Sequence, residues 1–319
     1  MRPISILGAG PAGSCAAISA LRAGAIVRLI ERSKFPRHKV CGEFFSPEIE
    51  PALDHLGLWP AFSAAGPSKI RRLELHFGRR EKISQLAEPA WGLSRYAFDA
   101  VLLQSALAAG AALQREPGHP PQIVACGRSV AATSRGARLF GFKAHFDGPS
   151  HDAVELYFFG RCYIGINTIE NGLTNVCGLA PEDFLRRFNF DFDQILLQSP
   201  ALAGRLKPLH RSLDWLSTGP LNFSQNFADR TVYRAGDALS FVDPFTGTGL
   251  LAAVKTGTFA GSAAARGDSV EDYLKQCRAC LKRPFEIAGI LRKALTCGFA
   301  ETFVPLVPSA MLFALTRPR

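Results

Sequence analysis

The chain has 319 residues, of which 47% are apolar and 20% charged, a balance typical of a folded globular protein rather than a disordered or fibrous one. This length allows one large domain or two intertwined ones with a substantial core. The net charge of +10 favours polyanionic cofactors, acidic substrates or an anionic membrane surface. Because the basic residues are spread along the chain, without a long basic run or a nucleic-acid-binding signature, we expect no nucleic-acid partner.

The chain termini carry no pattern of export or membrane insertion. Met1-Arg2-Pro3 leads directly into a strand-like run, so we expect a cytoplasmic protein. No run reaches the roughly 18 apolar residues of a transmembrane segment. The nearest, Thr302 to Thr316, is interrupted by Pro305 and Pro308 and is interpreted as packing on the core, with peripheral membrane contact left open. The sequence does not indicate an oligomeric state.

The first predicted elements are a strand, a helix and a second strand. Ile4 to Leu7 is a strand, Pro11 to Ala23 a helix rich in small residues, and Ala25 to Ile30 a strand that ends in Glu31. A strand, glycine turn, helix and strand in this order form a βαβ unit. Such a unit requires a parallel sheet and a right-handed crossover.

The following region combines one strand pair with one helix. Leu73, Leu75 and Phe77 alternate with polar residues, as in a half-buried strand, and Gly78-Arg79-Arg80 is a plausible turn into its partner. Apolar residues from Phe98 to Ala109 then fall at helical spacing, and Gly110 stands where that helix should end.

The pattern becomes all-β between Gly141 and Leu179. Asn171-Gly172 separates two strand-like runs there and predicts a hairpin. Beyond this region we expect a buried strand from Thr231 to Ala235 and a helix from Leu250 to Ala265. From Ser269 onward the chain should be helical with a proline-broken tail.

A G-x-G-x-x-G pattern, Gly8-Ala9-Gly10-Pro11-Ala12-Gly13, joins the first strand to the first helix. Gly8 allows the tight turn, Gly10 lets the backbone approach a pyrophosphate, and Gly13 lets the helix pack closely on the strand. The helix N-terminus offers free N–H groups to the phosphates. Glu31 can accept hydrogen bonds from the adenosine ribose and disfavours a 2′-phosphate. The pattern therefore predicts a dinucleotide site.

A second group of residues of the same character lies late in the chain. Ala235-Gly236-Asp237-Ala238 places a carboxylate after the predicted strand at 231–235, and Pro244 and Gly247-Thr248-Gly249 precede the helix. A carboxylate there can hold a polyol hydroxyl, and the glycines present N–H groups to an electron-rich group. Two such sites in one chain fit a dinucleotide bound end to end.

Together these motifs resemble those of the flavoprotein superfamily of aromatic-ring hydroxylases, geranylgeranyl reductases and flavin-dependent halogenases. The other matching stretches are Lys39-Val40-Cys41-Gly42-Glu43 and Arg95-Tyr96-Ala97-Phe98-Asp99. The resemblance implies bound FAD, with Asp237 on the ribityl chain, Arg95 near the FAD, the helix after Gly249 facing the flavin, and the Cys41-Gly42 turn close to it. The predicted cofactor-binding residues are Gly8, Gly10, Ala12, Gly13, Glu31, Arg32, Cys41, Gly42, Arg95, Asp237, Gly247 and Gly249.

The chain also departs from this superfamily. Only Ala112 to Pro121 intervenes where relatives usually have a further β-segment, which affects the adenine-side contacts. The middle motif, Ala125 to Ser129, lacks its usual acid, so reduction by NADH or NADPH is left open. The stretch from Cys162 to Asn167 lacks the W-x-W-x-I-P signature of halogenases, which disfavours halogenation.

The sequence does not identify catalytic side chains, because in a flavoenzyme the cofactor performs the redox step. His38, Lys39 and Glu43 are candidate polar groups near the flavin, with a solvated basic loop as the alternative. His145 and His151 are interpreted as surface or hydrogen-bonded core histidines. The lone pair Cys277 and Cys280 predicts no metal site.

An aromatic-rich β-region is expected to cover the substrate: Phe140, Phe142, Phe146, Tyr157, Phe158, Phe159 and Tyr163. This composition predicts a lipophilic or aromatic small-molecule substrate, although aromatic residues at strand spacing usually belong to the core. We therefore expect an FAD-dependent oxidoreductase, monooxygenase-like, that hydroxylates, oxidises or reduces such a molecule in secondary or lipid metabolism. The alternatives are a geranylgeranyl-reductase-like ene reductase and a non-catalytic flavin-binding accessory protein.

The predicted fold class is α/β: a Rossmann-like FAD-binding domain of the glutathione-reductase type with an inserted antiparallel substrate sheet and C-terminal helices. The FAD-binding domain should comprise residues 1–68, 91–140 and 229–265. The substrate domain should comprise residues 69–90 and 141–228, and the C-terminal helical region residues 266–319.

Overall fold

The computed structural model describes residues 3–78, 80–128, 138–241 and 247–296.

The fold begins with the predicted βαβ unit. Strand β1 (Ile4–Leu7) leads into helix α1 (Pro11–Arg22) and strand β2 (Val27–Ile30), and Ile4 pairs in parallel register with Val27. Alternate apolar residues of both strands are buried under α1, which explains why this short segment is a strand–helix–strand unit.

A parallel sheet extends from this unit. In the described ranges it has five strands, in the order β13 (Tyr233–Arg234), β7 (Ile123–Val124), β1, β2 and β6 (Ala112–Gln114). Each neighbouring pair is parallel, as a βαβ start requires. Strand β6 lies in the segment that the sequence indicates to be shortened, so this segment still contributes an edge strand.

The strand expected from Thr231 to Ala235 is shorter than predicted. Only Tyr233 and Arg234 pair, and they do so at the edge of the sheet. The carboxylate of Asp229 accepts hydrogen bonds from the backbone N–H of Thr231 at 2.9 Å and from its hydroxyl at 2.6 Å. This local turn competes with sheet pairing, so the strand starts two residues late.

A second, mostly antiparallel sheet contains eight strands among the described residues. In chain order they are β3 (Phe44–Phe45), β4 (Ser68–Phe77), β5 (Arg80–Gly92), β8 (Leu139–Asp147), β9 (Ala153–Phe159), β10 (Cys162–Thr168), β11 (Thr174–Pro181) and β12 (His210–Leu221). Their spatial order is β12, β8, β11, β10, β9, β4, β5 and β3. β4 and β9 are parallel, and the other neighbours are antiparallel.

The hairpin predicted at Asn171-Gly172 is confirmed. Strands β10 and β11 pair from Thr168–Thr174 to Tyr163–Leu179, and Asn171 has the positive φ of 59° that such turns need. The strand predicted around Leu73 to Phe77 is also confirmed as β4. Arg79, in the predicted turn after it, lies outside the described residues.

Helices cover both sheets. Helices α2 (Ile49–Asp54), α3 (Trp59–Ala64), α4 (Arg95–Ala108) and α8 (Gly249–Arg266) pack with α1 around the parallel sheet. Helices α5 (Glu182–Arg186), α6 (Phe192–Leu196) and α7 (Pro200–Leu206) cover one face of the antiparallel sheet. The predicted helices near 98–109 and 250–265 are thus confirmed as α4 and α8.

Within the predicted C-terminal helical region, residues 270–296 form helix α9 (Val270–Thr296), and residues 297–319 lie outside the described residues. The apolar stretch from Thr302 to Thr316 lies outside the described residues. In the part of the chain that the structure describes, no helix combines the length and apolarity needed to cross a bilayer.

Tyr273 joins α9 to the parallel sheet. Its buried hydroxyl donates a hydrogen bond of 2.5 Å to the carbonyl oxygen of Arg234. We expect Tyr273→Phe to lower the free energy of unfolding by about 1–2 kcal/mol, because a buried acceptor loses its donor. Chemical denaturation measures this loss. The control Tyr96→Phe, at a ring that is 43% exposed, should have little effect, and equal stability of all three proteins would contradict the prediction.

Candidate functional site

The glycine turn between β1 and α1 has the geometry of a phosphate-binding turn. A Cβ placed on Gly13 would lie 1.7 Å from the carbonyl oxygen of Gly8, so glycine is required there for helix–strand packing. Gly10 is different: its φ is −70°, and a Cβ there would meet no atom of the described residues within 4 Å. Neither its backbone conformation nor the packing of these residues requires glycine at position 10. The absence of a Cβ there would allow a ligand to approach the start of α1 closely.

The first turn of α1 contains backbone N–H groups that can donate hydrogen bonds to a ligand. Its N-cap residue, Gly10, has no side chain that could accept from the first N–H groups, and Pro11 follows directly. The backbone N–H groups of Ala12 and Gly13 are therefore left for an anion at this helix end. Gly8, Gly10 and Ala12 line a cavity, whereas Gly13 lies beneath the turn.

Glu31 lies against the glycine turn at the end of β2. Its carboxylate accepts hydrogen bonds from the backbone N–H of Ala9 at 3.0 Å and of Ser33 at 2.8 Å. Burial alone would raise the pKa of Glu31. The hydrogen bonds from these two donors and the charge of Arg37, 3.8 Å away, outweigh burial, so the pKa of Glu31 is lowered. Glu31 is thus ionised and lines the cavity, while the exposed Arg32 does not line it.

Asp237 and the start of α8 form the opposite wall of this cavity. Asp237, Gly247 and Gly249 all line it, while Pro244 lies outside the described residues. Asp237 is exposed at the cavity wall, and desolvation by the surrounding protein raises its pKa despite the opposing charges of Arg95, Lys39 and Arg128. Among the described residues, no atom lies within 4 Å of a Cβ placed on Gly249, as at Gly10. Both helix starts therefore present open backbone to the cavity.

Arg95 is held rigidly beside Asp237. Its guanidinium makes a bidentate ion pair with the fully buried Asp99, with Nε–Oδ1 and Nη2–Oδ2 distances of 2.6 and 2.7 Å. Burial would lower the pKa of Arg95, but the charge and hydrogen bonds of Asp99 raise it. Burial, followed by the charges of Arg95 and Arg37, lowers the pKa of Lys39, which also lines the cavity.

The cavity is continuous and has a volume of about 700 Å³. It runs from the glycine turn past Asp237 to the face of the antiparallel sheet, where its lining is mainly aliphatic: Leu73, Leu75, Val154, Leu156, Leu179, Leu216 and Leu221, with Tyr163 and Phe241. One cavity thus joins the two predicted cofactor motifs to an apolar compartment. This shape suits an extended dinucleotide together with an apolar ligand.

The aromatic residues expected to cover the substrate mostly face elsewhere. Among the seven, Tyr163 lines the cavity. Phe142, Phe146 and Tyr157 pack in the core under α5–α7, and Phe140 and Phe159 pack against that core. Phe158 stacks on Phe77 in a separate core cluster. The period of two places consecutive residues on opposite faces of a strand, and the sequence alone did not indicate which face bears the cavity.

The Cys41-Gly42-Glu43 turn is clamped against the antiparallel sheet. Asn175 Nδ2 donates to the carbonyl oxygens of Gly42 at 2.9 Å and Cys41 at 3.3 Å, and Asn167 Nδ2 donates to that of Glu43 at 3.4 Å. Asn167 and Asn175 are direct cross-strand neighbours on β10 and β11. Since Cys41 and Gly42 line the cavity, this polar row fixes the turn at the cavity wall.

Glu43 is the centre of a buried charged cluster. It has a φ of 52°, and its carboxylate receives Lys143 Nζ, the backbone N–H of Arg95 at 2.6 Å, and His145 Nε2 at 2.7 Å. Glu43 and Lys143 are fully buried, and His145 nearly so. Burial would raise the pKa of Glu43, but the hydrogen bond from His145 and the charge of Lys143 lower it.

Sequence reasoning missed Lys143 and did not connect His145 to Glu43. A signal was present: Lys143 and His145 alternate with Phe142, Ala144 and Phe146 along β8. The three apolar residues pack under α5–α7, so the two polar ones must share the opposite face. Two basic side chains on one buried face predict a carboxylate partner, but the sequence alone could not show which carboxylate it is.

His38 lines the cavity at the edge of this cluster. Its ring stacks on Tyr96 with a centroid distance of 4.7 Å and meets the ring of His145 edge-on at 5.4 Å. Its Nδ1 atom is buried and makes no hydrogen bond to any residue that the structure describes. His151, the other histidine considered, is 42% exposed in its side chain and lies 3.6 Å from Glu155.

Known structures share this fold. A flavin-dependent brominase aligns with a TM-score of 0.80 at 19% identity, over 98% of this chain and 92% of that one. A flavoprotein/dehydrogenase from Cytophaga hutchinsonii aligns with a TM-score of 0.79 at 17% identity, over 93% of this chain and 87% of that one. A geranylgeranyl bacteriochlorophyll reductase-like protein from Thermoplasma acidophilum aligns with a TM-score of 0.70 at 18% identity, over 98% of this chain and 90% of that one. The chain therefore has the fold of the FAD-binding flavoproteins, and the fold implied by its motifs is confirmed.

Similarity in sequence is local. The chain is 44% identical to a menaquinone reductase of Mycolicibacterium smegmatis over 55 residues, which are 17% of this chain and 13% of that protein. The chain thus spans only about an eighth of the length of that curated relative. No protein-family model matches the sequence.

Proposed function

We propose that this chain is an FAD-dependent oxidoreductase that acts on an apolar or aromatic small molecule. The observation that carries the proposal is the continuous cavity, which joins two open helix starts and two ionisable anchors to an aliphatic compartment. Bound FAD would supply the electron transfer. The protein would supply placement, polarity and exclusion of water.

The residues present fit the cofactor along its length. The first turn of α1 would hold the pyrophosphate beside Gly10, and Glu31 would accept hydrogen bonds from the adenosine ribose. Asp237 would hold the ribityl chain, with Arg95 nearby, and the start of α8 at Gly249 would face the flavin ring. The turn at Cys41 and Gly42 would bring the ring against the sheet.

The aliphatic compartment favours a substrate with a large apolar part. A quinone with an aromatic head and a hydrocarbon tail combines both features of the proposed substrate class. The local similarity to a menaquinone reductase supports choosing quinones as the first probes. Reduction of the flavin by NADH or NADPH is an untested part of the proposal.

The test is reconstitution of the purified protein with FAD, followed by anaerobic reduction and addition of acceptors. We expect the visible absorbance of bound flavin, its bleaching on reduction and its return with a quinone. A protein that stays colourless after reconstitution overturns the proposal. Bound flavin that is reduced chemically but never reoxidised by any acceptor would favour the non-catalytic accessory protein instead.

Asp237→Asn tests the flavin half of the site. The change keeps the size of the side chain but removes its charge, so we expect FAD binding to weaken by about tenfold, as for loss of one charge-assisted hydrogen bond. Fluorescence titration of flavin-free protein with FAD measures the affinity. The exposed variant Asp214→Asn is the control. Unchanged affinity would remove Asp237 from the cofactor site.

A further inference from the structure

His38 is placed to serve both the cavity and a buried charge cluster. It lines the cavity wall, while its ring contacts that of His145, whose Nε2 lies 2.7 Å from Glu43 Oε2. On its other side His38 stacks on Tyr96, which is 43% exposed. An imidazole between a cavity and solvent-exposed surface, with an Nδ1 that no described residue uses, is suited to passing protons between them.

We propose that His38 exchanges with solvent the proton that accompanies two-electron chemistry in the cavity, and that the Glu43–His145 pair positions its ring. This inference rests on the proposed function. Conversion of a quinone to a quinol requires two electrons and two protons. With anionic reduced flavin as the donor, both electrons and one proton would arrive as a hydride, and one further proton would be needed to complete the quinol. That proton would leave the imidazolium of His38, which would then regain a proton from solvent beside Tyr96.

The surroundings of His38 set the pH at which it carries a proton. Burial lowers the pKa of His38 below its ordinary value of 6.5, and the positive charges of Lys143 and His145 act in the same direction, while Glu43 and Glu170 oppose them. The protonated fraction therefore declines as pH rises through a value below 6.5. Quinone reduction should decline over the same range, because the donor form of His38 is lost.

Two acceptors separate proton delivery from electron delivery. Menadione, a quinone, takes up protons, whereas ferricyanide takes one electron and no proton. With dithionite-reduced holoprotein, we expect His38→Gln to slow menadione reduction about 100-fold, the lower end of general acid–base contributions. Ferricyanide reduction should stay unchanged. Added imidazole should restore menadione reduction, and His151→Gln should match the unmodified protein with both acceptors.

A second readout needs no turnover. We expect NMR titration of His38 in the flavin-free protein to give a lower pKa in Glu43→Gln, because a negative neighbour is removed. Glu170→Gln should shift the pKa of His38 in the same direction. This variant replaces Glu43→Gln in the experiment if Glu43→Gln does not fold.

The inference is overturned if His38→Gln reduces menadione at the unmodified rate or slows both acceptors equally without imidazole rescue. It is also overturned if the pKa of His38 is the same in both glutamate variants as in the unmodified protein, or if the unmodified holoprotein reduces ferricyanide but never menadione. A colourless protein would instead overturn the proposed function itself, so the two failures are distinguishable.

Discussion

Replacing Gly10 with alanine is expected to leave the fold intact and to weaken FAD binding by about 100-fold, the equivalent of roughly 3 kcal/mol. Gly10 has an ordinary φ of −70°, and a Cβ there would touch no atom of the described residues within 4 Å. These residues therefore leave room for the methyl group, whereas a pyrophosphate bound at the start of α1, as proposed, would not. FAD titration of the flavin-free variant measures the loss.

Two other glycines sharpen this experiment. Gly204→Ala is the matched control, because its Cβ would also lie more than 4 Å from every atom of the part of the chain that the structure describes, but the residue lies in α7, outside the cavity lining. Gly13→Ala should damage the fold itself, since its Cβ would lie 1.7 Å from the Gly8 carbonyl oxygen. If Gly10→Ala bound FAD as tightly as Gly204→Ala, the glycine turn would not be the pyrophosphate site.

Replacing Glu43 with glutamine should lower the free energy of unfolding by about 3–5 kcal/mol at pH 7, the usual cost of removing one partner of a buried ion pair. Glutamine keeps the shape of the side chain but leaves the buried ammonium of Lys143 without a counter-charge. The double variant Glu43→Gln, Lys143→Met should recover much of the loss, because both charges are then gone. Chemical denaturation of these two variants and of the single variant Lys143→Met measures the coupling.

The effect of Glu43 should depend on pH in a defined direction. Its pKa in the folded protein lies below the ordinary value of 4.5, so its contribution is complete above that value. The contribution is lost as pH falls through the folded-state pKa. The stability gap between the unmodified protein and Glu43→Gln should therefore narrow in acid. Glu81→Gln, at a side chain that is 64% exposed, is the control, and a gap that widened in acid would contradict this account.

Local motifs were predictable because neighbouring residues carry them. The βαβ unit follows from two buried runs, a glycine turn and a run of small residues, and the hairpin follows from Asn171-Gly172. The start of α8 was predicted within one residue. These elements depend on spacing and backbone conformation, which a sequence displays directly.

Long-range partners were not predictable in the same way. The sequence contains Glu43, Lys143 and His145, but only the fold brings the turn at Glu43 against β8. The burial of the aromatic residues away from the cavity depends on which sheet face receives α5–α7. The short β13 resulted from a turn at Asp229 that overrode an apolar run. The roles of the predicted cofactor residues and the domain boundaries stay predictions.

The two walls of the cavity also have a consequence for how the chain is made. Gly10 is synthesised long before Asp237 and α8, which follow all eight described strands of the antiparallel sheet. Strand β4 must likewise wait for β9 before its second edge is covered. A nascent chain therefore holds half of the proposed nucleotide site until α8 is made, and an open edge of β4 until β9 is made. The open strand edge makes it prone to aggregate during that interval. Cofactor capture would come last and would stabilise the finished fold by mass action, so flavin supply should govern the yield of folded protein.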